Sequence, residues 1–362
     1  MAFGSGERCM TRHMFAGAGT PEGFVSFFGG ISAIEKTEKA IILKGSSGSG
    51  KSTFIKKIGK ACENENYDVD YLHCSNDADS LDGVYVPSLR AYVVDGTAPH
   101  VSDPIIPAGV EQIFNMGEFI DASEIKANKR KLLSMIAEKT ELQKHANNYL
   151  KAAKSVYNNN SLIYERVLNK SALNKKISKI TETIKTLPAN SNGANRRFFA
   201  SAITPKGLKN FIDTILHGKV FVLNAKDGMG ADIMLAEIQE TANRRGHDTE
   251  SFYCPLKPSK IEHLTVPQLK LSYTTANEFH KPSVESGETI NFEELCSSFS
   301  EHREEMEFND NLFEMLLKKT METMKASLMV HESVEKIYIT AMDFKRLDEA
   351  CQNLRRKFIY NC

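Results

Sequence analysis

The chain has 362 residues, and its 46 Lys and Arg residues balance 46 Asp and Glu residues, so no overall field favours nucleic acid or a membrane surface as partner. That length is sufficient for two domains that each bury a core. The seven cysteines show no C-x-x-C or other paired metal spacing, and no signal-peptide core or membrane-length apolar run occurs, which predicts a cytoplasmic protein without a membrane segment.

The first predicted elements lead into a glycine-rich turn. Thr20-Pro21 is typical of an N-cap followed by proline at the first helical position, which predicts a helix near 21–34. The apolar run 40–43 predicts a buried strand, and 53–62 predicts a helix. The residues between this strand and this helix therefore lie where phosphate-binding loops are found.

Residues 45–52 read Gly-Ser-Ser-Gly-Ser-Gly-Lys-Ser, a complete G-x-x-x-x-G-K-[ST] pattern. In such a loop the glycines let backbone amides approach phosphate oxygens, the lysine reaches the β- and γ-phosphates, and the serine hydroxyl ligates Mg²⁺. We therefore predict that ATP and Mg²⁺ bind at Gly45, Ser46, Ser47, Gly48, Ser49, Gly50, Lys51, Ser52 and Thr53.

Two further strands are predicted, near 70–74 and at 91–94. Their alternation with helical segments favours parallel β-α-β packing, with ligands at the carboxyl ends of the strands. Asp95 directly follows the third strand, at the position of a Walker B carboxylate, which holds Mg²⁺ opposite the loop serine. The predicted metal ligands are therefore Ser52 and Asp95.

An acidic stretch follows the second strand and contains Asp77, Asp79 and Asp82. Groups that activate water or bind an acceptor often lie here in phosphate-loop enzymes, although capping and Asx turns explain Asp77 and Asp79 equally well. We predict that Asp82 acts with Lys51 and Asp95 as the catalytic set.

The unit around the loop occurs twice. An ungapped offset of 180 residues aligns 40–100 with 220–280, and Gly50 meets Gly230 while His100 meets His280. The histidine is present in both copies, which favours a structural role for it. We therefore predict two homologous domains in tandem, at 1–190 and 191–362.

The second copy lacks the residues that phosphate chemistry requires. Ala231 stands where the first copy has Lys51, Asp232 replaces the serine, and Thr275 replaces the metal carboxylate. A carboxylate beside phosphate would be repelled. The second loop is therefore predicted to be a structural or regulatory pseudo-site.

Each copy also carries a long polar insertion rich in helix-forming residues. The first, at about 118–187, is strongly basic between 126 and 185, and the second, at about 285–336, is strongly acidic. We predict helical hairpins that dock on each other within the chain or across a dimer, that bind a polyanion such as RNA, or that are independently solvated. Basic and aromatic residues do not interleave, so nucleic acid is the less favoured partner.

Phrases at 45–53, 80–84, 95–100 and 338–344 make the chain resemble a family of uncharacterised bacterial tandem P-loop NTPases, labelled ATPases or nucleotide-kinase-like proteins. The resemblance implies ATP and Mg²⁺ at 45–53 and leaves the acceptor open, and this chain departs from the family pattern in its second loop. We predict an α/β fold with two tandem P-loop NTPase-like domains, each a parallel sheet flanked by helices with one inserted helical hairpin.

Three functions follow from this organisation. The first, which we favour, is Mg-dependent ATP hydrolysis in the first domain coupled to domain rearrangement. The second is phosphoryl transfer to a small molecule or nucleotide, and the third is a nucleotide sensor or scaffold without hydrolysis. The chain contains neither L-S-G-G-Q nor N-K-x-D, which disfavours ABC-type ATPases and GTPases.

Overall fold

The computed structural model describes residues 9–188, 191–283 and 287–360. The first half of the chain contains, in order, β1 (Thr11–Met14), β2 (Gly17–Thr20), β3 (Gly23–Ser26), β4 (Lys39–Lys44), α1 (Lys51–Asn64), β5 (Val69–His73), β6 (Leu81–Val86), β7 (Ala91–Asp95), β8 (Glu111–Asn115), α2 (Ala122–Ala127), α3 (Lys129–Val167) and α4 (Lys170–Glu182). The second half contains β9 (Asn195–Phe198), β10 (Ser201–Thr204), β11 (Gly207–Asn210), α5 (Ile212–Ile215), β12 (Lys219–Asn224), α6 (Ala231–Arg244), β13 (Thr249–Tyr253), β14 (Ile261–Val266), β15 (Leu271–Ala276), β16 (Gly287–Asn291), α7 (Arg303–Thr340) and α8 (Phe344–Tyr360).

Each half forms one six-stranded mixed sheet. The strand order is β1-β5-β6-β7-β4-β8 in the first sheet and β9-β13-β14-β15-β12-β16 in the second. β4 is parallel to β7 and β8, and β12 is parallel to β15 and β16, whereas β6 and β14 run antiparallel to both of their neighbours. The predicted α/β class is confirmed, but the prediction of parallel sheets is wrong at these two strands.

The length of one connection explains the antiparallel strand. Residues 74–80 join β5 to β6, and they are too few for the crossover between parallel neighbours, which needs about a dozen residues or more. The chain therefore returns beside β5 in the opposite direction. β7 then follows after one short 3-10 turn and reverses direction again.

The helix predicted after Thr20 is also wrong, because the chain forms the hairpin β2–β3 there. The Thr20 hydroxyl donates to Gly23 O at 2.8 Å, and Gly23 has φ of +104°. Pro21 therefore occupies a turn rather than the first turn of a helix. The hairpin β10–β11 repeats this bond, from Thr204 to Gly207 O at 2.7 Å.

The described residues group into two compact units. The first unit comprises Met1–Ala16, Phe28–Leu142 and Ala326–Cys362, and the second comprises Gly17–Phe27 and Gln143–Lys325. Each unit contains one of the six-stranded sheets. The units do not coincide with the two sequence halves, because each includes segments from the other half.

The core of the first unit includes the last helix of the chain. Leu347, Leu354 and Phe358 of α8 belong to the same buried apolar cluster as Ile55 and Ile58 of α1. The three α8 positions are seven and four residues apart, so they share one helical face. Burial of each such side chain stabilises the unit by about 1.5–3 kcal/mol.

The second unit has the reciprocal arrangement. Leu173 and Ile177 of α4, a helix from the first half of the sequence, lie in one buried cluster with Met234 and Leu235 of α6. The helix that follows each glycine-rich turn is therefore covered by a helix that the sequence places in the other repeat.

Each insertion is built around one long helix instead of the predicted helical hairpin. α3 has 39 residues and α7 has 38. In the second unit they contact each other through amide and aromatic groups: Asn160 Nδ2 donates to Asp310 Oδ1 at 2.7 Å, and the Tyr157 and Phe313 rings lie 5.0 Å apart.

Across the described residues, no helix has the length and apolar character needed to cross a membrane.

Replacing Phe358 with Ala should destabilise the first unit. The side chain is 2% exposed, and its loss should lower the free energy of unfolding of that unit by about 3–5 kcal/mol. Native-state hydrogen exchange should show lost protection in β4 and β7 while β12 and β15 keep theirs. Arg356→Ala, on the exposed face of α8, is the control. Loss confined to β12 and β15 would contradict the placement of α8.

Candidate phosphate-binding site

The turn between β4 and α1 has the backbone that a phosphate-binding loop requires. Gly48 and Gly50 adopt φ of +78° and +87°, and Gly50 is the N-cap of α1, which begins at Lys51. A Cβ added to Gly45 would lie 2.6 Å from Ser49 Oγ, so a larger residue there would have to displace the Ser49 side chain. The turn ends at the N-terminus of a 14-residue helix, where backbone N–H groups and the helix dipole favour an anion.

Lys51 folds back over this turn. Its ammonium donates to Gly45 O at 2.7 Å and to Ser46 O at 2.8 Å, and it lies 3.6 Å from Asp95 Oδ2. The Lys51 side chain is 10% exposed. The predicted phosphate lysine and the predicted Walker B carboxylate are therefore neighbours.

Asp95 and Ser52 lie at the same edge of the first sheet. β7 is parallel to β4 with Asp95 opposite Leu43, which places Asp95 beside the start of the turn. Asp95 Oδ1 accepts from Thr97 N at 2.9 Å, and Ser52 Oγ accepts from Leu81 N at 2.9 Å. Carboxylate and hydroxyl oxygens are the ligands that Mg²⁺ prefers, so the predicted pair fits this ion.

Asp82 joins the same cluster through a buried histidine. Asp82 Oδ2 lies 3.4 Å from His100 Nε2, and His100 Nδ1 lies 2.9 Å from the backbone oxygen of Asp95. Burial opposes protonation, but the hydrogen bond to Asp82 and the charges of Asp82 and Asp95 outweigh it and raise the pKa of His100. The structure thus brings together all three residues predicted as catalytic.

The same carboxylate–histidine pair occurs in the second unit. Glu262 Oε2 lies 3.5 Å from His280 Nε2. Because the second turn lacks the phosphate lysine, the pair alone does not indicate phosphate chemistry, and a structural role for His100 stays the prediction.

The end of α7 lies against the first turn. A Cβ on Gly48 would come within 2.8 Å of the backbone oxygen of Glu335, and the Gly48 backbone acts to lower the pKa of the Glu335 carboxyl. His331 Nε2 lies 3.2 Å from Ser47 Oγ. A carboxyl group of the protein therefore lies beside the glycine-rich turn.

The charges around these two α7 side chains shift both of their pKa values. Burial and the charge of Asp77 raise the pKa of Glu335, against the opposing charge of Lys51. Burial and the charges of Lys139 and Lys51 lower the pKa of His331 to about 4. The imidazole is therefore neutral at pH 7, and its Nδ1 accepts from Lys139 Nζ at 2.9 Å.

Two serine hydroxyls of the turn have no hydrogen-bond partner among the described residues. They are Ser46 Oγ and Ser49 Oγ, and the Ser49 residue is 1% exposed. An unpaired buried hydroxyl is unfavourable, so a phosphate oxygen that accepted from either hydroxyl would stabilise the turn. Thr53, the last predicted loop residue, lies exposed in the first turn of α1.

The second turn has the same backbone but carries its own anion. Gly228 and Gly230 adopt φ of +92° and +90°. The Asp227 carboxylate accepts from Lys257 and lies 2.9 Å from Lys260 Nζ. An ion triad formed by the protein's own side chains thus occupies this turn.

The space at the second turn is small. A cavity of about 40 Å³ lies beside Ala231 and Asp232. Asp232 Oδ2 pairs with Lys260 Nζ at 3.3 Å. The carboxylates of Asp227 and Asp232 both line this cavity, and they would repel a phosphate there.

Sequence reasoning missed several residues of both sites. Glu335, His331 and Lys139 come from the long helices, far in sequence from the turn they contact, and no local pattern marks them. Asp227 aligns with Ser47, a position at which the phosphate-loop pattern specifies no residue type, so the pattern does not mark it. Asp77 lies near Glu335 but is bonded locally, accepting from Ser80 Oγ at 2.7 Å.

Comparison with protein-family models, with curated proteins and with solved structures finds no match. The resemblance to tandem P-loop NTPases therefore remains a prediction from the sequence phrases.

Replacing Asp227 with Asn should destabilise the second unit, because Lys257 and Lys260 would be left without their carboxylate, at a cost of about 3–5 kcal/mol. Burial raises the pKa of Asp227, but the two lysine charges outweigh it and hold the pKa below its ordinary value of 3.8. The stabilisation is therefore complete above pH 3.8 and is lost as the pH falls through the folded-state pKa.

Denaturant unfolding at pH 7 and along an acid series, followed by hydrogen exchange in β12 and β15, checks this prediction. The Asn variant should be less stable at pH 7 and should lack this component of the acid loss. Asp213→Asn, at an exposed carboxylate of the same unit, is the control. Equal acid profiles for the unaltered and Asp227→Asn chains would contradict the ion triad.

Proposed function

We propose that the turn after β4 binds Mg·ATP and hydrolyses it. The observation that carries this proposal is the complete phosphate-loop sequence on a strand–turn–helix backbone, with the Lys51 ammonium 3.6 Å from the Asp95 carboxylate at the edge where β4 and β7 end. A linker of glycine and serine has no reason to adopt that setting.

The residues have distinct roles in this proposal. The turn amides and the N-terminus of α1 hold the phosphate oxygens, and Lys51 leaves its loop carbonyls to meet the β- and γ-phosphates. Ser52 and Asp95 would hold Mg²⁺, which supplies charge neutralisation as the phosphoryl group transfers. Asp82 fixes His100 against the Asp95 backbone and so positions the metal carboxylate.

Nucleotide binding requires an exchange of anions. Glu335 lies beside Gly48 of the turn, and the Gly48 backbone favours its charged form, so an incoming phosphate would take up the same environment. Two negative groups about 4 Å apart repel by roughly 4 kcal/mol near a protein surface, so the carboxylate must leave as the phosphate enters. Because Glu335 belongs to α7, this exchange would couple nucleotide occupancy to that helix, in line with a conformational role for hydrolysis.

The second turn is assigned no nucleotide in this proposal. Asp227 provides its anion permanently, and a phosphate would have to break the pairs with Lys257 and Lys260. This turn then has a structural or regulatory role. Cytoplasmic location and self-association through the charged helices remain predictions.

A nucleotide sensor is the second candidate, and one observation favours it. The Lys51 ammonium donates to two carbonyl groups of its own loop, and the Glu335 carboxyl lies beside the turn. Nucleotide binding alone would therefore break these contacts and change the structure without hydrolysis. A kinase receives less support, because Asp82 is 6% exposed and paired with His100 rather than open to an acceptor.

Labelled ATP separates these candidates. The protein is incubated with γ-labelled ATP and Mg²⁺, with and without a metabolite extract, and the label is followed. Free phosphate in both samples supports hydrolysis, and label in a new compound only with extract indicates a kinase. Tight binding without either product indicates a sensor, and absence of binding contradicts the proposal.

Replacing Lys51 with Ala should abolish nucleotide binding. Mg·ATP at about 100 times its dissociation constant should raise the free energy of unfolding of the first unit by about 2.7 kcal/mol, and the variant should lose this gain. Lys226→Ala, which removes the exposed lysine of the second turn, should keep it. An undiminished gain in Lys51→Ala would place the nucleotide elsewhere.

Replacing Glu335 with Gln should tighten Mg·ATP binding, because the competing charge is removed from the turn. We expect at least about a tenfold lower dissociation constant, roughly 1.4 kcal/mol, measured by titration calorimetry. Glu332→Gln, which removes an exposed charge from the same helix, should leave affinity nearly unchanged. Equal or weaker binding in Glu335→Gln would show that Glu335 does not compete with phosphate.

A further inference from the structure

Three residues of the second unit, Glu262, His263 and His280, each offer one candidate ligand atom, and these atoms lie within 4.8 Å of one another. Glu262 Oε2 and His263 Nε2 are buried and have no hydrogen-bond partner among the described residues. His280 Nε2 lies 3.2 Å from Ser201 Oγ, and its Nδ1 has no partner among the described residues. Unpaired buried polar atoms are unfavourable, which favours a further partner at this cluster.

A β-bulge brings two of these residues together. Phe252 of β13 pairs with His263 of β14, whereas the next residue, Tyr253, pairs with Ile261, so Glu262 is the extra residue. Adjacent residues of a regular strand point to opposite faces of the sheet, and a bulge breaks this alternation. Glu262 and His263 can thereby serve one site.

His263 has the features of a metal ligand. It is 0% exposed, and its Nδ1 is held by Thr274 Oγ1 at 2.8 Å. Ligating histidines are characteristically oriented in this way, by a hydrogen bond from the second ring nitrogen.

His280 is fixed from the opposite side of the site. Its backbone N–H donates to Asn277 Oδ1 at 3.0 Å, and its Nε2 lies 3.5 Å from Glu262 Oε2. The His280 and His263 rings meet edge to face, with centroids 5.2 Å apart. Two imidazoles and one carboxylate thus converge on one point.

A cavity lies beside the same carboxylate. Cys254 and Glu262 both line this cavity of about 40 Å³, and the Cys254 thiol hydrogen-bonds to Glu262. The Glu262 end of the cluster therefore borders a space that admits water.

We propose that the second unit binds a divalent transition metal of the zinc class through Glu262, His263 and His280, with the fourth position taken by water. Two imidazoles and one carboxylate match the three protein ligands of open tetrahedral zinc sites. Mg²⁺ requires oxygen ligands, so this metal differs from the ion proposed at the first turn.

The first unit lacks one of these ligands. Asp82, His100 and Cys74 stand at the positions of Glu262, His280 and Cys254, but Gly83 stands where the second unit has His263. The additional histidine therefore distinguishes the second site from the repeated carboxylate–histidine pair.

Metal content of the untagged chain tests the proposal. The protein is stripped with a chelator and dialysed against zinc, and the retained metal and the hydrogen exchange of β13 to β15 are measured. We expect one zinc per chain and slower exchange in these strands. The double variant His263→Ala, His280→Ala should retain none. His247→Ala, which removes a buried histidine of the same unit, should retain it, as should Lys51→Ala.

Cobalt substitution of the unaltered chain keeps the test independent of variant folding. Four-coordinate Co²⁺ should give visible absorption that is stronger than that of six-coordinate cobalt and that zinc abolishes. The proposal would be overturned by any one of three results. The unaltered chain could give only the weak absorption of six-coordinate cobalt, it could retain no zinc, or the double variant could retain zinc in full. Loss of ATP binding with zinc retained would affect the proposed function alone.

Discussion

Each glycine-rich turn of this protein ends at a helix N-terminus, where backbone donors and the helix dipole favour a negative group. The two units place different carboxyl groups there. In the second, Asp227 is part of the turn itself and is paired with Lys257 and Lys260. In the first, Glu335 of α7 lies beside the turn, and burial disfavours its charged form. One turn therefore has a carboxylate fixed by two lysines, whereas the carboxyl group at the other has no such pairing; the function proposed for the first turn depends on this difference.

The parts of this arrangement that the sequence predicts are local ones. β4, the glycine-rich turn and α1 follow from neighbouring residues, and Asp95 lies beside Lys51 because parallel strands end at one sheet edge. The antiparallel β6 escaped prediction because strand direction depends on which neighbours pair. The contacts of Glu335 and His331 with the turn could not be predicted, because they join residues that are hundreds of positions apart. No periodicity in the sequence indicates such a contact.

The two repeats share one backbone arrangement but place different side chains around it. Both place an acidic residue at a β-bulge beside a buried histidine, at Asp82 and at Glu262. The bulge is a backbone feature and is retained, while the groups around it differ. A second carboxylate, Asp95, accompanies the pair in the first unit, and a second imidazole, His263, accompanies it in the second.

The placement of α8 has a consequence for how the chain is made. β4 and α1 are synthesised long before α8, yet Phe358 and its neighbours of α8 belong to the same apolar cluster. At roughly 5–20 residues per second, the nascent first sheet must wait with one face of α1 uncovered until α8 has been synthesised. Biosynthesis of this protein therefore requires chaperone protection before α8 emerges.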